Sequence, residues 1–144
     1  MNDSKTILVP IDFEEASIQA VAQARDLGAK LGAEVVLLHV YTVPATMYPA
    51  LSLIADPDLN EEIRVATSQT LERFADAHGQ LRTLLRCGDP TTETLAAIEE
   101  THPEMVVMGT HGRTGLAHFL LGSVAENVIR QSTVPILTLR TAAH

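Results

Sequence analysis

Four glycines, Gly109, Gly112, Gly115 and Gly122, fall within fourteen residues of one another, in the stretch VVMGTHGRTGLAHFLLGSVAENVI from Val106 to Ile129. Two histidines, His111 and His118, and Arg113 lie among them. Glycine permits φ > 0 and lets another group approach the backbone closely. The stretch opens as an apolar run and closes in a helical pattern, so Gly109 ends a strand and Gly122-Ser123 begins a helix. The first amides of a helix have no intrahelical acceptor. Amides at a loop and at a helix start, exposed by glycine, form a ready anion site. One glycine would mark a turn, whereas four, spread from strand end to helix start, favour phosphate.

Asp12, in PIDFEEAS, sits where a first strand ends. A carboxylate there can accept hydrogen bonds from ribose hydroxyls or help hold a metal; it can equally cap the first helix, and the residues leave both readings open. RCGDP, with Gly88, Asp89 and Pro90, reads as structural: a tight turn followed by a capped helix start. His39, inside an apolar run, reads as a hydrogen-bonded core histidine. The chain lacks the G-x-x-x-x-G-K-[ST] phosphate loop and the G-x-G-x-x-G dinucleotide fingerprint. No His/Cys/Asp grouping has zinc-ligand spacing. Cys87 has no nucleophile context, and Ser123 has no base pattern for covalent catalysis.

The elements that must position these residues follow from periodicity. Apolar runs predict strands over Lys5 to Asp12, Glu34 to Val40, Leu81 to Cys87, Glu104 to Gly109 and Val134 to Arg140. Ala20, Val21, Ala24, Leu27 and Leu31 recur at helical spacing, and Gly32 is placed to end that helix. Leu59, Ile63, Ala66, Thr70 and Phe74 predict the inner face of a second helix, begun by Asp56-Pro57 and ending near Gly79. Asp89-Pro90 begins a third helix that buries Leu95 and Ile98, and Ser123 caps a last one through Gln131. The segment from Tyr41 to Ala55, with Pro44 and Pro49, has no clear period and reads as a loop or broken helix. Continuous apolar strands alternating with amphipathic helices specify a parallel sheet covered on both faces, doubly wound by right-handed crossovers. In such sheets ligands bind beyond the carboxyl ends of the strands, where strand order reverses.

Length and composition fit one domain, residues 1–144, with an aliphatic core: 46% of residues are hydrophobic, aromatics are 3% and tryptophan is absent. The single cysteine, Cys87, points to a reducing compartment. No apolar stretch approaches the roughly 20 residues of a membrane span, and MNDSKTILVP carries no signal-peptide core; the expectation is a cytoplasmic protein. The net charge of −8 argues against nucleic acid as partner. Its distribution is uneven. Residues 1–104 hold 7 basic and 17 acidic side chains, a net of −10, whereas residues 105–144 hold 3 and 1, a net of +2.

Gly109, two residues, Gly112, nine residues, then Gly122-Ser123 matches the G-x₂-G-x₉-G-[ST] motif of ATP-binding universal stress proteins. ILVPID, VVLLHV, GDP and VPILTLR resemble that family in order and spacing, and the resemblance covers essentially the whole chain. It implies strand order 3-2-1-4-5 and ATP, or ADP or AMP, as ligand, with Mg²⁺ or Mn²⁺ beside the phosphates. By resemblance Asp12 holds the ribose, while Val40, Ile11 and Met108 line the adenine pocket. The backbone around Gly109, Gly112, Gly122, Ser123 and Val124 holds the phosphates with the Ser123 hydroxyl; Arg113 is a supplementary charge outside the motif. Pro10, Thr110 and His111 complete the set of cofactor-binding residues. Where the family often has Asp-Gly-Ser or Asp-Phe-Ser, this chain has Asp12-Phe13-Glu14, and a Glu14 carboxylate facing the pocket would oppose a polyanion.

The resemblance implies a regulatory or stress-response protein, with an unidentified protein partner and a homodimer through the edge strand Val134 to Arg140. The alternative is an enzyme of the same fold, a slow ATPase or nucleotidyl transferase. The sequence supplies no clear general base or positioned lysine for fast turnover. A response-regulator receiver ranks far lower, because Cys87-Gly88 and Gly109-Thr110 stand where its phosphoacceptor aspartate and lysine would be.

Overall fold

A computed structural model describes residues 4–44, 48–50, 56–110 and 122–140. The described elements run β1 (Lys5–Pro10), α1 (Glu15–Leu31), β2 (Ala33–Tyr41), α2 (Pro57–Ala77), β3 (Arg82–Cys87), α3 (Pro90–Thr101), β4 (Met105–Thr110), α4 (Ser123–Gln131) and β5 (Ile136–Arg140). The five strands form one parallel sheet in the order β3-β2-β1-β4-β5, the α/β architecture expected from the sequence.

Strand alternation divides the core into two layers. Ile7 and Val9 of β1, Val35 and Leu37 of β2 and Val107 of β4 meet Ala20, Val21 and Ala24 of α1 and Leu71 and Ala75 of α2 on one face. Leu8, Val36, Leu38, Val106 and Met108 meet Ala97 and Ile98 of α3 and Ala125 and Val128 of α4 on the other. Both faces of the central strands are thus buried, which is why their sequences are apolar without a break. Among the described residues no helix is long and apolar enough to cross a membrane.

Several boundaries and faces differ from the sequence reading. β1 ends at Pro10 rather than Asp12, although the Ile11 N–H still donates to Leu38 O at 2.8 Å. β2 runs on through Tyr41. β5 starts at Ile136, because Ser132 accepts from Val134 N–H and donates to Val134 O, folding Val134 into the preceding turn. In α2 Leu59, Ala66 and Thr70 are exposed, and the buried residues are Leu71 and Ala75. At about 1.5 Å per residue the 21-residue α2 outruns the 6-residue edge strand β3, at about 3.3 Å per residue. Its first turns therefore have little sheet to cover. Leu31 is likewise exposed at the end of α1, where Gly32 adopts φ 66° and closes the helix on Gly28 O as expected. In the segment from Tyr41 to Ala55, the Tyr48 N–H donates to Pro44 O; residues 45–47 and 51–55 lie outside the described residues.

The sheet opens between its central strands. β1 stays in register with β2 from Lys5–Ala33 to Pro10–Leu38, yet its register with β4 covers Ile7–Met105 and Leu8–Val106 alone. Past Leu8 the two strands part. The first turn of α1 fills the gap by lying against the end of β4: a Cβ at Gly109 would stand 2.4 Å from Ala16 O and 2.7 Å from Ala16 Cβ. Gly109 is therefore required by packing, not by backbone conformation.

Gly109→Ala should shift backbone on one side of this contact and cost roughly 1–3 kcal/mol. Gly122→Ala, where a Cβ meets nothing within 4 Å, should leave stability unchanged within about 1 kcal/mol. Urea unfolding midpoints at constant slope check the pair; equal midpoints would contradict the close approach.

Candidate functional site

A cleft of about 390 Å³ opens at the carboxyl end of the sheet, within the range of small-ligand sites. Nine of the residues expected from the sequence line it: Pro10, Ile11 and Asp12 after β1, Val40 at the end of β2, Met108 and Gly109 on β4, and Gly122, Ser123 and Val124 at the start of α4. Thr110 does not line it; its hydroxyl donates to Leu139 O at 3.1 Å, across to the neighbouring strand. His111, Gly112 and Arg113 lie outside the described residues. Six further residues complete the wall: Ser17, Leu38, His39, Pro90, Thr94 and Ala125. Glu14, whose carboxylate would oppose an anion, is not among the lining residues and is instead the N-cap residue of α1.

The loop after β1 is built by its own carboxylate. Asp12 Oδ1 accepts from the Glu14 N–H at 2.9 Å and from Ser17 Oγ at 2.7 Å, and the Asp12 N–H donates to Ser17 Oγ at 2.9 Å. Asp12 does not cap α1, whose N-cap residue is Glu14 with no side-chain cap bond; it shapes the turn before the helix. One oxygen shapes the turn, and Oδ2 has no hydrogen-bond partner among the described residues. Five-residue spacing from Asp12 to Ser17 is the sequence trace of this pair, but apolar periodicity does not reveal it.

Phe13, the middle residue of that turn, has φ 67°, a conformation unfavourable for an aromatic residue. Packing compensates: its ring lies 4.5 Å from the His39 ring and 5.5 Å from that of Phe74, which in turn stacks on His78 at 4.2 Å. His39 Nδ1 is 2.8 Å from Ile11 O. A carbonyl only accepts, so Nδ1 carries the proton and donates. His39 is thus the hydrogen-bonded core histidine read from the sequence, and its ring also forms part of the cleft wall.

The two helices on the cleft's far side begin differently. Asp89 caps α3, accepting from the Thr92 N–H and Thr92 Oγ1, both at 2.9 Å. These two hydrogen bonds hold the Asp89 carboxyl below its ordinary value of 3.8. α4 has no such cap. Its N-cap residue is Gly122, not Ser123 as the sequence implied, with φ −55° and ψ 150° and no side-chain bond. The first closed backbone bond runs from Glu126 N–H to Gly122 O at 3.0 Å. The amides of Ser123, Val124 and Ala125 thus have no acceptor among the described residues, and all three residues line the cleft. Among the described residues, nothing in the backbone or packing around Gly122 requires glycine. Among the described residues no three His, Cys, Asp or Glu side chains gather as a metal site.

The model of the Universal stress protein family matches residues 4–140. Universal stress protein MJ0531 of Methanocaldococcus jannaschii is 33% identical over 141 residues, spanning 94% of this chain and 82% of the relative. Universal stress protein YxiE of Bacillus subtilis is 28% identical over 144 residues, spanning 93% and 97%. Among solved structures, hypothetical protein MJ0577 superposes with a TM-score of 0.80 at 26% identity, covering 97% of this chain and 98% of its own. MJ0577 is also a universal stress protein of M. jannaschii.

The cap at Asp89 gives a pH signature. A depressed carboxyl stabilises the fold at pH values above its unfolded-state value, and that contribution disappears as pH falls through the folded value. Asp89→Ala should cost about 1 kcal/mol at pH 7 and progressively less below about pH 4. Thermal unfolding of both proteins from pH 7 to pH 2.5 reads this; a difference independent of pH would contradict the cap.

Proposed function

This chain belongs to the universal stress protein family, and from that premise we propose that it is an adenine-nucleotide-binding regulatory module of the family. The observation that carries the reading is the start of α4 without a side-chain cap, where three residues whose amides have no acceptor among the described residues line a cleft that Asp12 also lines. Helix-start amides and the positive end of the helix dipole favour phosphate oxygens. Asp12 Oδ2, without a partner among the described residues, would accept from ribose hydroxyls, while Oδ1 keeps the loop in shape. Ile11, Val40 and Met108 supply an apolar wall suited to the base. The G-x₂-G-x₉-G-[ST] spacing from Gly109 to Ser123 supports the choice of an adenine nucleotide, with the expected His111, Gly112 and Arg113 contributing from the loop between.

The lining supplies a single carboxylate, Asp12, and three hydroxyls, Ser17, Thr94 and Ser123, among the described residues. Mg²⁺ or Mn²⁺ would therefore be held chiefly by the phosphates it accompanies, as Mg²⁺ commonly is. Asp12 would be its protein carboxylate if the ribose did not occupy it.

β5 is an edge strand with Leu137 37% exposed and Ile136, Thr138 and Leu139 half-buried. Pairing with β5 of a second copy would cover that edge. Light scattering at micromolar concentration should report a dimer, and Leu137→Lys should yield a folded monomer; a native monomer would contradict this assembly.

Titration calorimetry with ATP tests the site. Gly122→Val should stay folded, because its Cβ has open space, yet nearly abolish binding by filling the approach to the amides. Asp12→Asn keeps an acceptor for Glu14 and Ser17 but loses the charge; the lost charged hydrogen bond should weaken binding by about 10- to 150-fold, or roughly 1.5–3 kcal/mol. If both variants bind ATP as tightly as the parent, the phosphates and ribose lie elsewhere.

A further inference from the structure

Thr94 lies one turn into α3, four residues after Pro90, and both line the cleft. It is 2% exposed. Its hydroxyl has no hydrogen-bond partner among the described residues. Two other threonines of the same helix are satisfied: Thr92 Oγ1 bonds Asp89, and Thr101 Oγ1 donates to Ala97 O at 2.7 Å. A hydroxyl without a protein partner at a cleft wall is open to a partner from the cleft. Thr94 also breaks the apolar pattern of α3's inner face, where Ala97 and Ile98 are buried against Leu38 and Met108.

The place of this hydroxyl defines what it would meet. The amides without acceptors among the described residues belong to α4, whereas Thr94 comes from α3 and lines the same cleft as Leu38, Val40 and Met108. Phosphates held on α4 leave the apolar part of the cleft to the heterocycle. Building on the nucleotide reading above, we propose that Thr94 Oγ1 is a specificity-determining group that hydrogen-bonds the base of the bound nucleotide. A hydroxyl both donates and accepts, so it can meet either a ring nitrogen or an exocyclic amine. In the free protein it has no protein partner among the described residues, and the base would supply one.

The two states make opposite demands on the side chain, and a shape-preserving substitution separates them. ATP affinity and ligand-free urea unfolding are to be measured for the parent, Thr94→Val and Thr94→Ser. Thr94→Val should weaken ATP binding about 3- to 10-fold, the effect of one hydrogen bond. Its ligand-free form should unfold at the same or a higher urea concentration than the parent, since it loses only an unpaired hydroxyl. Thr94→Ser should bind ATP within about twofold of the parent, because it keeps the hydroxyl. If the parent binds ATP and Thr94→Val binds it equally well, the proposal fails while the cleft reading stands. A Thr94→Val protein that is less stable without ligand would assign the hydroxyl a structural role and also overturn the proposal. A parent that binds no ATP would overturn both.

Discussion

The parting of β1 from β4 is the constraint on which the site depends. In a parallel sheet wound both ways, the chain leaves β1 toward β2 and later returns on β1's other side as β4, so no helix bridges these neighbours directly. Register holds them together at Ile7–Met105 and Leu8–Val106, and then β1 continues with β2 alone. The gap would be unstable if left empty. It is filled from one side by the first turn of α1, which reaches β4 because Gly109 has no side chain, and the rest of it is the cleft. That close approach brings the start of α1, just after the Asp12 loop, against the end of β4.

Around this gap the polar groups are arranged by whether the fold already uses them. Asp89 satisfies the start of α3, whereas the start of α4 is left without a cap. Asp12 divides its two oxygens between the turn and the cleft. Phe13 holds a strained conformation, and the energy comes from its contacts with His39 and Phe74, which also fix the ring of His39 at the cleft wall.

How much of this was legible in the sequence depended on whether the cause was local. Apolar runs gave the strands, and Asp56-Pro57 and Asp89-Pro90 marked two helix starts, because burial on both faces and capping each act on neighbouring residues. Nine of the expected site residues share one cleft because strand ends and helix starts are themselves readable. What escaped were effects of tertiary approach. Gly109 looked like a ligand-facing glycine, yet its absent side chain is needed by Ala16, ninety-three positions earlier. Ser123 looked like a cap, but it is the first helical residue, because the chain enters α4 extended at Gly122. No sequence pattern singled out Thr94, which packing buries, and the exposed face of α2 followed from the short strand beneath it rather than from its own period.

The claim that phosphates rest on the open start of α4 is tested most directly by amide NMR of the intact protein titrated with ATP and, separately, with adenosine. ATP should shift the backbone amides of Ser123, Val124 and Ala125 strongly and saturably, as charged oxygens take up their free N–H groups. Adenosine should perturb residues of the apolar wall, such as Val40 and Met108, and leave those three amides nearly unmoved. If ATP leaves the α4 amides in place, or if adenosine moves them as far as ATP does, the phosphates are not held there and this account of the site is wrong.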